Sequence, residues 1–436
     1  HRSEGRFITE DDWESTAGGE SAHIAVDPEN NDIVYGGSYG GFLTRVNHKT
    51  GSVRGINVWP DNPMGYGAEG MKYRFQWNFP VFFSHHNTKR FFTLSNHVHV
   101  SENEGHSWKI ISPDLTRNDP SKLKSSGGPI TQDNTGVEYY STLFAASESR
   151  LSEGEIWVGS DDGLVHLTKN SGNTWENITP IKVPKSLMLN SIETSYFIYG
   201  KAYIAGTSYK TGDFKPYLYK TNNHGKSWKK IVSGINSEHF TRVLRADPAR
   251  DGLLYAGTES GMYISYDDGE SWNSFQKNLP IVPVTDITIK DNSLIVATQG
   301  RGIWMIDDLT LLHQLNAKTL NNEINLFSPK DSYRTRGYGG ISSKTGGTNI
   351  ENGVIVYYNL KNYDSSKDSL SISFSDMDGK IIKTYSNHDK KDSLIAQKGS
   401  NKFVWDTKHG GAEVLDGMIF WSASFSGKNL YLENIE

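Results

Sequence analysis

One eight-residue pattern recurs four times in this chain, and it restricts the fold more than any other feature. The pattern S/T-x-N/D-x-G-x-S/T-W occupies Ser101–Trp108, Thr168–Trp175, Thr221–Trp228 and Ser265–Trp272. A fixed motif with unequal spacers reads as one supersecondary unit repeated with loops of different length. The flanks repeat as well. An alternating strand precedes each motif (HVHVSEN, LVHLTKN, PYLYKTN, GMYISYD), and three of these follow an aromatic-apolar strand ending in Gly-Ser or Gly-Thr. Residues 32–56 carry both strands with a degenerate motif that lacks Trp, and residues 293–306 carry both strands and no motif. A weaker first strand shows at RVLRADPARDG and HIAVDPENND. Each unit is therefore expected to hold four short strands, the fourth beginning at the Trp. Four-stranded units at this spacing predict an all-β fold, a β-propeller over residues 20–310.

The motif has a structural reading of its own. Gly105, Gly172, Gly225 and Gly269 permit a left-handed turn between the third and fourth strands. The Asn or Asp side chain can accept backbone amides in that turn, and the Trp can anchor it between sheets. Asp267 is therefore not read as a catalyst, since the other three copies have Asn there.

Composition agrees with short strands: 43 Gly, 12% aromatic and 36% hydrophobic residues in 436. A net charge of −5 lacks the basic surplus a general nucleic-acid binder needs. With no cysteine, disulfides, Cys-ligated zinc and thiol catalysis are excluded. No run approaches 18 apolar residues, so no transmembrane segment is expected. The first residues are polar, and any export signal is expected outside this sequence.

The motif resembles the Asp-box of sialidases, sortilin-type propellers and xyloglucanase-like glycosidases. The chain is more specifically similar to sortilin-like Asp-box (BNR) repeat proteins of the bacterial "glycosyl hydrolase" type common in Bacteroidetes. The segments that carry this resemblance are Gly37–Arg45, Arg74–Pro80, Ser112–Asp119, Ser126–Tyr140 and Gly159–His166. The resemblance implies the C-terminal portion of a longer protein, with the ring of blades completed by upstream strands. It also implies a secreted, periplasmic or surface location in a Gram-negative bacterium and an immunoglobulin-like module after the propeller. The expected domains are 1–312, the β-propeller; 313–350, a linker and lead-in; and 351–436, an incomplete immunoglobulin-like β-sandwich. Within the last part, GVIVYYNL, SLSISFSD, KIIKTYS, NKFVWDT and GMIFWSAS read as strands, and Asp376–Gly379 as a hairpin turn. LTLLHQLNAKTL has helical apolar spacing, and 338–347 is a Gly/Ser-rich loop.

Strand order puts the strand two-to-three turns and the inter-unit loops on one rim, opposite the repeated motifs. Long loops there are read as functional. Expected ligand contacts are Tyr39, Arg74, Trp77, Arg117, Tyr139, Tyr209, Arg242 and Arg301: aromatic faces for sugar rings and guanidinium groups for carboxylates. Expected carboxylates for acid–base work are Asp133, Glu138, Asp161 and Asp162. Plainer readings stand beside these: Asp161-Asp162-Gly163 as a tight turn, Trp77 as core, and Arg117-Asn-Asp119 as a loop-internal salt bridge. His85-His86 resembles a metal pair, but neighbours on a strand point to opposite faces, so no metal and no cofactor is expected. Two functions remain open. One is a propeller that binds a glycan, a peptide or an outer-membrane assembly. The other is a glycoside hydrolase or polysaccharide lyase working through a carboxylate pair.

Overall fold

The computed structural model describes residues 13–333 except 22, 63, 64, 128, 134 and 136–138, together with 350–389 and 393–408. The chain divides into two compact units, one over Trp13–Ile306 and one that begins at Asp307.

The first unit is a succession of antiparallel meanders. Blade one contains β1 (Ile24–Val26), β2 (Ile33–Ser38), β3 (Phe42–Asn47) and β4 (Ser52–Gly55); blade two contains β5 (Val81–Phe83), β6 (Phe91–Leu94), β7 (Val98–Ser101) and β8 (Lys109–Ile110). The loop after blade two carries a helical turn, α1 (Pro120–Leu123), and a small hairpin of β9 (Ser126–Gly127) and β10 (Gln132–Asp133). Blade three follows with β11 (Leu143–Glu148), β12 (Ile156–Ser160), β13 (Val165–Thr168) and β14 (Glu176–Asn177). Blade four has β15 (Met188–Thr194), β16 (Ala202–Ser208), β17 (Asp213–Thr221) and β18 (Lys229–Lys230). Blade five has β19 (Thr241–Ala246), β20 (Leu254–Thr258), β21 (Gly261–Ser265) and β22 (Asn273–Ser274). Blade six has three described strands, β23 (Val284–Lys290), β24 (Ser293–Thr298) and β25 (Ile303–Ile306).

Burial explains why these strands read as they do. The second strands β12, β16 and β20 are buried at every residue, because a sheet lies against each face. Their sequences are accordingly near-continuous apolar runs closed by small residues. Cores form between successive blades: Tyr35, Leu43, Phe75, Phe79 and Phe91 between one and two; Phe92, Leu94, Leu143 and Val158 between two and three. Trp157, Leu167, Leu189 and Ile204 fill the next interface, and Leu218, Leu244, Leu254 and Trp272 the one after it. Such sheet-on-sheet packing is the blade arrangement of a β-propeller.

The four motifs adopt one geometry. The first Ser or Thr hydroxyl accepts the N–H of the motif Gly at 2.9–3.0 Å. The Asn or Asp Oδ1 accepts the N–H of the later Ser or Thr at 2.9–3.0 Å. Each Trp Nε1 donates to an isoleucine carbonyl in the preceding unit: Trp108 to Ile56, Trp175 to Ile111, Trp228 to Ile178 and Trp272 to Ile231, at 2.7–2.9 Å. The motif is thus a turn and an inter-blade staple at once.

Four details differ from the sequence reading. The fourth strand begins one residue after the Trp rather than at it, because the indole turns back to the preceding blade. Blade one is four-stranded without the motif Trp. The helical stretch is two turns, α2 (Thr310–Gln314) and α3 (Ala317–Asn321), separated where Asn316 caps the second with a reciprocal Thr319 bond. Part of the expected linker is sheet: β26 (Ile324–Leu326) pairs with β27 (Val354–Leu360).

The second unit has β27 paired also with β30 (Gly399–Trp405), and a separate hairpin of β28 (Ser371–Ser375) and β29 (Ile381–Ser386) turning at Asp376–Gly379. Val356, Tyr358, Tyr385 and Leu394 form its core, with Phe374 and Trp405 stacked at 4.3 Å. The 338–347 loop and the GMIFWSAS strand lie outside the described residues.

Candidate functional site

The inter-blade loops and the strand two-to-three turns meet on one rim. The backbone N–H of Arg117, in the loop after blade two, donates to Asp162 Oδ2 at 2.8 Å, and its Nε donates to the Asp162 carbonyl at 2.7 Å. Asp162 belongs to the β12–β13 turn. Ser186, ahead of β15, bonds Ser208 at the end of β16 at 2.9 Å. A β-bulge lies near the start of each of β11, β15, β19 and β23, leaving Phe144, Asn190, Arg242 and Thr285 out of register. Bulges of this kind re-aim side chains at a rim.

A cleft of about 510 Å³ opens there between blades three and four. Asp161, Met188 and Thr207 line it from the blades, with Tyr140 and Arg117 from one loop, Asp119 and Lys122 from α1, Lys185 from the next loop, and Tyr209 and Lys210 from the β16–β17 turn. The Tyr209 ring packs flat against Phe240, with centroids 5.2 Å apart and planes 14° apart, which holds an aromatic face at the mouth.

The two aspartates of the β12–β13 turn are both engaged. Asp161 accepts the Thr142 N–H and hydroxyl, each at 2.9 Å. Burial pushes its carboxyl up to about 7; the Thr142 backbone bond opposes this and the Asp162 charge adds to it. Asp162 is 0% exposed and also accepts the Ser160 hydroxyl at 2.5 Å. His166, on β13, is pushed down to about 4, mainly by burial. In the cleft itself, Asp119 caps α1 through the Ser121 hydroxyl and N–H, which lower its carboxyl.

The remaining expected residues are dispersed. Arg74 is buried and pairs with Asp114 at 2.7 Å, while its Nε donates to the Ser141 carbonyl. Burial would raise the Asp114 carboxyl, but bonds from Thr116, Asn96 and Arg74 together hold it below the usual range. Arg242 pairs with Glu259 at 2.6 Å. Tyr139 is buried, and its hydroxyl donates to the Tyr66 carbonyl at 3.0 Å. Trp77 is half-buried, and its Nε1 has no partner among the described residues. Tyr39 stands edge-on to Phe42 on blade one, and Arg301 is exposed on the β24–β25 turn of blade six. Asp133 lies on β10, its side chain outside the described residues, as is all of Glu138. The cleft thus brings together Arg117, Tyr209 and Asp161 from the expected set. Thr207, Lys122 and Lys185 were not singled out by the sequence, and nothing in their local pattern marks them.

No family model matches the chain. Over 121 residues it is 31% identical to an oligoxyloglucan-reducing end-specific xyloglucanase of Emericella nidulans, a stretch covering 26% of this chain and 14% of that protein. Among solved structures, the GH74 xyloglucanase from Xanthomonas campestris is similar at TM-score 0.45 and 14% identity, over 66% of this chain and 44% of the other. YCF48 bound to D1 peptide is similar at TM-score 0.45 and 14% identity, over 73% and 88% of the two chains.

A second charged cluster lies on the innermost strands. Arg245 bonds Asp286 and Ser191 Oγ, each at 2.7 Å, and approaches Glu193 to 4.0 Å. Burial pushes Glu193 up to about 7, against the nearby Arg245 and Arg150 charges. These contacts tie blades four, five and six. Among the described residues no group of three or more His, Asp or Glu side chains is placed to hold a metal ion, and no helix is long and apolar enough to cross a membrane.

Proposed function

We propose that the first unit is a glycan-binding β-propeller that holds its ligand in the cleft between blades three and four. The observation that carries this reading is the state of the two aspartates. Asp162 is fully buried and saturated by Arg117 and Ser160, and Asp161 is held by Thr142. Neighbouring carboxylates bound into one turn do not make the opposed pair that glycoside hydrolysis needs. The cleft instead offers aromatic faces and hydrogen-bonding groups, the usual means of holding a sugar. The local similarity to a xyloglucanase favours a sugar ligand over a peptide.

The proposal includes the finer family reading, an Asp-box propeller of the sortilin-like bacterial type, exported to the periplasm or surface. The second unit is then an immunoglobulin-like spacer or docking module, toward an outer-membrane assembly among other partners.

One observation favours the alternative, a glycoside hydrolase. Asp161 titrates near 7 in the cleft, as a general acid should, while Asp119 in the same cleft is held ionised. Titrating the full chain against a panel of oligosaccharides, with reducing-end release measured in parallel, separates the two. Binding without release supports the module; release that disappears in Asp161→Asn supports the enzyme; neither activity on any glycan rejects both.

A further inference from the structure

We infer that the cleft between blades three and four takes an acidic polysaccharide, a sugar chain whose uronic acid carboxylates lie against Arg117, Lys122, Lys185 and Lys210. The inference rests on the glycan-binding reading above and names the ligand class for the same site.

The first argument is charge. Four cations line the cleft against two carboxylates, Asp119 and Asp161. Elsewhere in this unit five arginines are neutralised, Arg45 by Glu104, Arg74 by Asp114, Arg90 by Glu102, Arg242 by Glu259 and Arg245 by Asp286, whereas Arg150 bonds His85 and Arg301 a backbone carbonyl, each apart from the cleft. None of the four cleft cations forms an ion pair among the described residues. Arg117 spends its Nε on the Asp162 carbonyl, which fixes the plane of the guanidinium and leaves its terminal nitrogens for a carboxylate.

The second argument is independent of charge. Thr207 lines the same cleft, is 1% exposed, and its Oγ1 has no hydrogen-bond partner among the described residues. A buried hydroxyl left unpaired is costly and points to a partner that arrives from outside. A ligand hydroxyl or carboxylate oxygen in the cleft would satisfy it once the Thr207 side chain rotates toward the cleft, since the Oγ1 is closed to solvent in this conformation.

The third argument selects a sugar chain over a small anion. The cations come from three separate segments, the loop with α1, the loop before β15 and the β16–β17 turn, so they suit charges spaced along a ligand. Tyr140 and the Phe240-backed Tyr209 supply faces between them. A volume of about 510 Å³ exceeds what one phosphate needs.

The test is calorimetric titration of the full chain at low and moderate salt with four probes: an oligogalacturonate, the same oligosaccharide with its carboxyl groups reduced to alcohols, an acidic peptide and inorganic phosphate. The expected result is binding of the oligogalacturonate, weakened by salt, with a loss of about tenfold or more on carboxyl reduction. Lys185→Gln with Lys210→Gln should reproduce that loss, and Lys185→Arg with Lys210→Arg should restore affinity. Thr207→Val should weaken the acidic ligand several-fold without lowering the melting temperature, since it removes an unpaired group; unchanged affinity removes Thr207 from the site. Equal binding of the reduced oligosaccharide overturns the acidic inference and leaves glycan binding standing. Binding of neither sugar overturns the acidic inference, and the oligosaccharide panel above decides the glycan-binding reading. Tighter binding of the peptide, or full displacement by phosphate at low millimolar concentration, overturns the polysaccharide class.

Discussion

Arg117 and Asp162 are joined twice, by the Arg117 N–H to Asp162 Oδ2 at 2.8 Å and by Arg117 Nε to the Asp162 carbonyl at 2.7 Å. They lie 45 residues apart, in the loop after blade two and the β12–β13 turn. The pair therefore clamps a long loop onto the next blade. Asp162→Ala leaves the Arg117 amide without its acceptor and the Ser160 hydroxyl with only the Leu164 carbonyl at 3.4 Å. The expected cost is about 1–3 kcal/mol, read as a fall in melting temperature. A variant as stable as the parent would contradict the clamp.

The repeats were legible because their chemistry is local. A turn that needs a left-handed Gly, an Asx side chain and a Trp anchor writes all three within eight residues. Blade six shows the converse: its segment lacks the motif, and its sheet has three described strands. The rim was legible from strand order alone. The partners on the rim were not. Arg74 and Arg242 read as ligand contacts, yet Asp114 and Glu259 neutralise them. Which carboxylate a loop arginine meets depends on how loops fold over one another, and no local pattern encodes that. The same holds for Thr207, whose hydroxyl lacks a partner only because of what surrounds it.

Gly225 tests the motif as a structural device. Its φ is +76°, and a Cβ there would lie 2.6 Å from Ile178 Cδ1, the residue whose carbonyl accepts the Trp228 indole. Gly225→Val should cost roughly 1–3 kcal/mol from backbone strain, with steric overlap added. Shortening Ile178 to Ala should relieve the overlap with Cδ1 and Cγ1 but not that with its Cβ at 2.7 Å, so only part of the steric cost is recovered. Affinity in the folded fraction should be unchanged, because the turn lies on the opposite rim. Chemical denaturation of the three variants, with binding measured on the folded protein, checks both statements.

Stability should depend on pH through Asp161. Its folded carboxyl titrates near 7 because burial disfavours the charged form, while an unfolded Asp titrates near ~4. Between those values the folded chain holds a proton that the unfolded chain has released. The stability that Asp161 contributes therefore falls as pH rises from about 4 to about 7 and levels off above. The contribution is at most about 4 kcal/mol. Asp161→Asn should remove its share of the slope, since the amide oxygen still accepts from Thr142. The slope left in the variant is the sum of Glu193, near 7 and of the same sign, and of His85, His99 and His166, which burial lowers and which therefore contribute stability that rises with pH up to about 6.5. Urea denaturation at pH 5 and pH 8 gives both comparisons, and an unaltered slope in the variant would reject the assignment.

The same proton separates binding from catalysis. As pH rises through about 7, ionised Asp161 adds a negative charge among Arg117, Lys185 and Lys210. An acidic ligand should then bind more weakly, by several-fold between pH 6 and pH 8. In Asp161→Asn the affinity should stay high and flat over that range, because the amide never ionises. A hydrolase would show a similar fall in the parent but a different variant. Its turnover would need the protonated acid, fall above pH 7, and vanish in Asp161→Asn at every pH. The two readings share the wild-type profile and part at the variant. Affinity retained with no cleavage at any pH identifies a binding cleft; cleavage by the parent that the variant loses identifies Asp161 as the acid.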